Sequence, residues 1–341
     1  MHAALGRNEL VPIALRNRWA SDVRRRAHFN LIQARETARV CEILDQSAVA
    51  NIVLKGLPLA LRIYGSFSLK RSSDIDVLVA PEDAVEAVGR LGDYGYVSQR
   101  TGKSVGSRQI LSLMRHAKEI TLSNANGAVI DLHWRLMDEP HLLDGIRPFE
   151  NARTFAFANL CEIRILGQAD EFAYLCAHGA HSNWSRMKWL VDIGAFLTDL
   201  SHDDQMSLYG HAEKLNVGPA VIQAFGLREL FWRHTVPPAL RTDLESFAAQ
   251  GLLAYACERM QQPYTAPSFL ASVHRMRDQI EIQGALFGNR RMAVFQAFKS
   301  LVSQSDVLAV PLPPWLDWLY YLVRPLTWLG RPRRKRVEAI K

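Results

Sequence analysis

Apolar residues recur at two spacings along the first half of the chain, and the places where one gives way to the other outline its elements. Leu31, Ala34, Ala38, Val40, Ile43 and Leu44 fall at helical intervals up to about Ala48. Asn51 to Leu54 is a short apolar run that reads as a first strand. Leu57 to Ile63 predicts a short helix, with Pro58 tolerated in its first turn. Tyr64 to Val79, YGSFSLKRSSDIDVLV, closes in an alternating, β-branched stretch that predicts a strand. Pro81, Glu82 and Asp83 then open a helix with acids at its positive end, and Ala84, Val85, Val88 and Leu91 form its buried face. A polar loop near 101–107 leads to Lys118–Trp134, where Asn126-Gly127 between two alternating arms predicts a hairpin. The order α-β-α-β-α-β-β predicts an α+β fold: a small mixed sheet with helices against one face and the other open to substrate.

From about Phe149 helical periodicity dominates, with a strand signal only at Glu162 to Leu166. Asp170–His181 and Ser185–Leu200 read as helices, the second with Met187, Leu190, Val191 and Ala195 at core spacing. Four regions follow: a helical extension over 1–30, a catalytic core over 31–150, a helical domain over 151–311 that closes the cleft, and an aromatic and basic segment over 312–341. That last segment carries Trp315, Trp318, Tyr320, Tyr321 and Trp328 ahead of Arg331, Arg333, Arg334, Lys335 and Arg336. It suits either a final helix docked on the core or a peripheral contact with a membrane headgroup region. Nothing in it reaches the roughly 18 to 20 apolar residues that span a bilayer.

The formal charge of +7 favours anionic ligands. Arg24, Arg25 and Arg26 have no interleaved aromatics, so a solvated helix face is expected there rather than a nucleic-acid surface. Cys41, Cys161, Cys176 and Cys257 show no paired spacing, and no apolar leader precedes Arg7-Asn8-Glu9. Free thiols and a cytoplasmic setting are the expectation.

On a strand, side chains at i and i+2 share a face, which puts Asp74 beside Asp76. Such a pair is either a solvated strand end or a divalent-metal site, because neighbouring carboxylates repel unless a cation sits between them. Mg²⁺ suits carboxylate oxygens and substrate phosphate. Gly65-Ser66 just upstream leaves room for close backbone approach to a phosphate. Asp131, in the second arm of the hairpin, supplies a third carboxylate of the kind two-metal nucleotidyl transfer needs. His178 and His181 share a helix face but have no third ligand of suitable spacing, so structural histidines are expected there. No GxGxxG or Walker sequence is present.

Gly65-Ser66, Asp74-Ile75-Asp76 and a later Asp131 resemble the signature of the DNA-polymerase-β-like nucleotidyltransferase superfamily. With Leu54-Lys55-Gly56, Tyr64-Gly65, Arg71-Ser72-Ser73, Asp131-Leu132-His133-Trp134 and His178-Gly179-Ala180-His181, the chain is more closely similar to a bacterial family of uncharacterised nucleotidyltransferases, from about Leu31 to about Leu329. The resemblance implies transfer of a nucleotide from a nucleoside triphosphate to a hydroxyl or phosphate of an unidentified acceptor: a small molecule, peptide or protein, with nucleic acid the least expected. Asp74, Asp76 and Asp131 would be the catalytic metal ligands for two Mg²⁺ ions. Gly65, Ser66, Lys55, Arg71 and Lys188 would face the triphosphate. Lys188 has a second reading, an ion pair with Asp192 one helical turn on. The competing reading of the whole is a nucleotide- or partner-binding module on the same fold without catalysis. Seven residues separate Gly65-Ser66 from Asp74, a tighter loop than in many members of the superfamily.

Overall fold

A single long helix, α1 (Ile13–Gln46), leads into the fold. The computed structural model describes residues 11–70, 72–261, 280–288, 291, 294 and 302–321. α1 runs through residue 30 without a break and buries Ala34, Val40, Cys41, Ile43 and Leu44, while Leu31, expected on that face, is exposed. The helix then gives way to β1 (Asn51–Val53), α2 (Leu57–Tyr64) and β2 (Ile75–Val79). α3 (Ala84–Asp93), β3 (Val97–Ser98) and α4 (Ser107–His116) follow, and β4 (Glu119–Ser123) and β5 (Val129–His133) complete the core unit.

The five strands form one mixed sheet in the order β1-β2-β5-β4-β3. β2 and β5 are parallel, with Asp76 opposite Asp131, and the other pairings are antiparallel. The period of two then sorts the side chains. Ile75, Val77, Val79, Ile120, Leu122, Ile130 and Leu132 all turn to one face and pack against α1, α3 and α4. Each such aliphatic contributes roughly 1.5–3 kcal/mol on leaving water. Asp76, Leu78, Asp131 and His133 turn to the opposite face. Most of that face is covered by the helical half, whose core takes in Ile52, Leu54 and Leu78 from the sheet.

A second hairpin, β6 (Arg153–Phe157) and β7 (Cys161–Ile165), bridges to that half. There follow α5 (Gln168–His181), α6 (Met187–Phe196), α7 (His202–Lys214), α8 (Gly218–Trp232), α9 (Arg241–Glu245) and α10 (Phe247–Gln261). α6 buries Leu190 and Ile193 and leaves Met187 and Val191 exposed, a rotation from the face expected of it.

Near the C-terminus, α11 (Gln304–Ala309) and the chain through Tyr321 return to α4. Tyr320 is fully buried; its hydroxyl donates to the Val310 carbonyl at 2.8 Å and accepts from the Leu312 N–H at 2.9 Å. Arg115 donates to both oxygens of Asp317 at 2.8 Å. Docking thus holds for the described part of the 312–341 segment, and Trp328 and the basic run lie outside the described residues. No described helix is long and apolar enough to cross a membrane.

Candidate active site

The site grows from the pairing of β2 with its neighbours. Leu54 N–H donates to the Asp76 carbonyl at 3.0 Å, extending the β1 pairing to the residue before Lys55. Asp76 is 1% exposed, and its Oδ1 lies 3.0 Å from the Lys55 Nζ and 3.4 Å from the His133 Nε2. Burial works against the charge of Asp76, but Lys55 and His133 more than offset it and hold the carboxyl well below the usual range. Its other oxygen, Oδ2, is buried with no hydrogen-bond partner among the described residues.

Asp131 accepts from the Thr121 hydroxyl at 2.7 Å. Burial first, then the like charges of Asp76 and Glu119, push its pKa up to about 6. Glu119, on the same face of β4, lies 3.1 Å from the His133 Nδ1 and 3.2 Å from the Lys118 Nζ. Lys118 and Glu119 were not singled out from the sequence, and His133 entered only through the Asp131-Leu132-His133-Trp134 motif, without a role. The signal was present for Glu119, which sits two residues from Thr121 on an alternating strand.

Asp74 lies one residue before β2 and not within it, at the cavity wall. The approach to it is held from two sides. Asn30 Nδ2 donates to the carbonyls of Phe67 and Lys70, and the Ser72 hydroxyl donates to the Asp74 carbonyl at 3.0 Å. Ser72 also packs on Gly56, whose φ of +86° and lack of a Cβ permit it; a Cβ there would lie 2.9 Å from the Ser72 oxygen. The Leu54-Lys55-Gly56 and Ser72-Ser73-Asp74 motifs are therefore one packed unit. Arg71 lies outside the described residues.

These groups floor a cavity of about 700 Å³. Its walls carry Lys55, Asp74, Asp76, Lys118, Glu119 and Asp131 from the sheet side, and His178, Arg186, Lys188 and Trp189 from the helical half. Gly65 and Ser66 do not line it. Gly65 ends α2 in the left-handed conformation, its N–H donating to the Leu61 carbonyl. Asp192 does not pair with Lys188; it accepts from Lys70 at 2.6 Å and from the Tyr64 hydroxyl at 2.9 Å. Lys188 has no hydrogen-bond or ion-pair partner among the described residues, and burial pulls its pKa down against the opposing charge of Asp74.

His178 and His181 diverge. His178 Nε2 is 3.5 Å from the Lys55 Nζ, and its ring sits edge-on to Trp189. His181 Nδ1 faces Glu139 at 3.8 Å. Gly179 between them makes room for the Trp184 indole, which a methyl there would overlap. No group of three His, Cys, Asp or Glu side chains among the described residues is gathered around a metal position. The donor chemistry nevertheless fits a hard divalent cation: Asp76 Oδ2 is buried and unpartnered, and Asp131 is strained by like charges.

Residues 2–233 match the uncharacterised nucleotidyltransferase family. No curated protein matches the chain.

Proposed function

Because the chain belongs to the uncharacterised nucleotidyltransferase family, we propose that it moves a nucleoside monophosphate from a nucleoside triphosphate to a hydroxyl or phosphate acceptor, with release of pyrophosphate. The observation that carries this reading is the register of Asp76 with Asp131 on parallel strands, under a cavity whose far wall bears Lys188, unpaired among the described residues. Asp74, Asp76 and Asp131 would hold Mg²⁺, which when bound stabilises charge on the phosphates and favours an ionised acceptor.

The chain's own groups account for the rest. Lys188 and Arg186, which line the cavity, would meet the β- and γ-phosphates as they gather negative charge. Asp131, which lines the cavity from the sheet side, would orient the acceptor hydroxyl and draw off its proton. The acceptor oxygen then bonds to the α-phosphorus as the α–β bridging bond breaks, and pyrophosphate leaves with that electron pair. The helical half closes over the sheet and keeps water from competing.

Metal-dependent release of pyrophosphate, followed with each of the four common triphosphates over a panel of acceptors, tests this. Asp76→Asn is expected to lower the rate by more than about 100-fold, since even a partner of a metal ligand is worth 10–100-fold. Unchanged release in that variant would sink the proposal. A non-catalytic nucleotide-binding module is the second reading, favoured by the absence of an assembled three-carboxylate group among the described residues. Tight nucleotide binding without pyrophosphate release would select it. Peripheral membrane contact through 312–341 is compatible with either, and the exposure of Trp315 and Trp318 favours it. Vesicle flotation of the full chain against one ending at residue 311 decides that point.

A further inference from the structure

Lys55 is held in a way unlike a lysine that waits for phosphate. Its backbone is fixed by the β1–β2 pairing, and Gly56 turns the chain directly after it. Its ammonium lies 3.0 Å from Asp76 Oδ1 and 3.5 Å from His178 Nε2. An ammonium offers only donors, so the histidine contact is with the ring's lone pair, and His178 serves as a neutral acceptor. Strand β1, strand β2 and helix α5 thus converge on one positive charge.

The surrounding charges indicate what that cation is for. Lys118 neutralises Glu119, and Lys55 neutralises Asp76. Asp74 and Asp131 have no ion-pair partner among the described residues, and Asp76 keeps one oxygen unpartnered. Two unpaired carboxylates match the charge of one divalent ion.

We infer that Lys55, clamped between Asp76 and His178, permanently fills one of the two cation positions of a nucleotidyl-transfer centre, so that a single divalent ion completes this site. The inference rests on the metal-dependent reading above and goes further by fixing the number of ions and giving His178 the role of positioning Lys55. Without the lysine, the position keeps a carboxylate oxygen and an imidazole nitrogen, both of them metal donors.

Mn²⁺ alone, titrated into the full chain and followed by electron paramagnetic resonance, tests it without recourse to activity. Wild type is expected to bind one ion. Lys55→Met is expected to bind two, close enough to broaden each other's spectrum, and Lys55→Met with His178→Phe is expected to return to one. Circular dichroism checks that each variant folds; if Lys55→Met does not, Lys55→Gln carries the same test. Two ions in wild type, or one in folded Lys55→Met, overturn the inference while leaving the transferase reading intact. No Mn²⁺ bound by wild type, with Asp76→Asn indistinguishable from it, removes the metal reading and this inference together.

Discussion

Asp76 and Asp131 are neighbours across a parallel pair, yet their surroundings push them in opposite directions. Asp76 has Lys55 and His133 and stays ionised, while for Asp131 the Thr121 hydroxyl and the charge of His133 do not offset burial and two like charges. A carboxyl whose folded pKa is raised favours the fold when protonated, so its contribution is lost as pH rises toward about 6. In the absence of metal, Asp131→Asn should therefore melt above wild type at pH 7.5 and level with it near pH 4. Thermal melts in a chelator at the two pH values check this, and equal melting at pH 7.5 would contradict it. The period-2 reading of DIDVLV and VIDLH was enough to find both acids. It does not reach Gly65-Ser66, because a glycine ahead of a strand can equally end the helix before it, and Gly65 does so. Gly179, by contrast, is a packing residue. Gly179→Ala should cost about 1–3 kcal/mol by overpacking Trp184, measured by denaturant unfolding.

At the scale of elements, the hairpin that carries Asp131 shows where sequence reasoning stops. A two-residue Asn126-Gly127 loop would set Leu122 opposite Asp131. The observed loop instead pairs Ser123 with Val129 and brings Thr121 to Asp131. A shift of one residue exchanges an apolar neighbour for a hydrogen-bond donor. Helix α4 was hidden for a different reason. Its sequence SRQILSLMRH is short and mostly polar, and its buried Ser112 and its Arg115 are satisfied by residues some two hundred positions away, near Leu312, Asp317 and Tyr320. Tyr320→Phe leaves the Leu312 N–H and the Val310 carbonyl without their partner, and should cost about 1–3 kcal/mol in equilibrium unfolding. A loss within error would mean that the docked segment contributes little to the fold.

Over the whole molecule, charged pairs join the sheet unit to the helical half around the cavity. Lys70 meets Asp192, and Arg62 of α2 meets Glu171 of α5. Burial raises the Glu171 pKa to about 6 in spite of Arg62, so removing the arginine strands a buried charge at neutral pH. Arg62→Ala should destabilise by about 3–5 kcal/mol at pH 7.5 and by less at pH 5, where Glu171 is protonated. Denaturant midpoints at both pH values test the sign. The helical character of the C-terminal half was readable from the change of periodicity near Phe149, though the β6–β7 hairpin still follows that point. What that change does not carry is the cover of the acidic face, which depends on Lys188, Trp189 and Asp192 arriving from another element. The most direct test of the central claim is calorimetric binding of ATP, GTP, CTP and UTP, with and without Mg²⁺, to wild type and Asp76→Asn. Binding of at least one nucleotide that requires Mg²⁺ and is lost in Asp76→Asn is the predicted result; binding that is indifferent to both the ion and the substitution would contradict it.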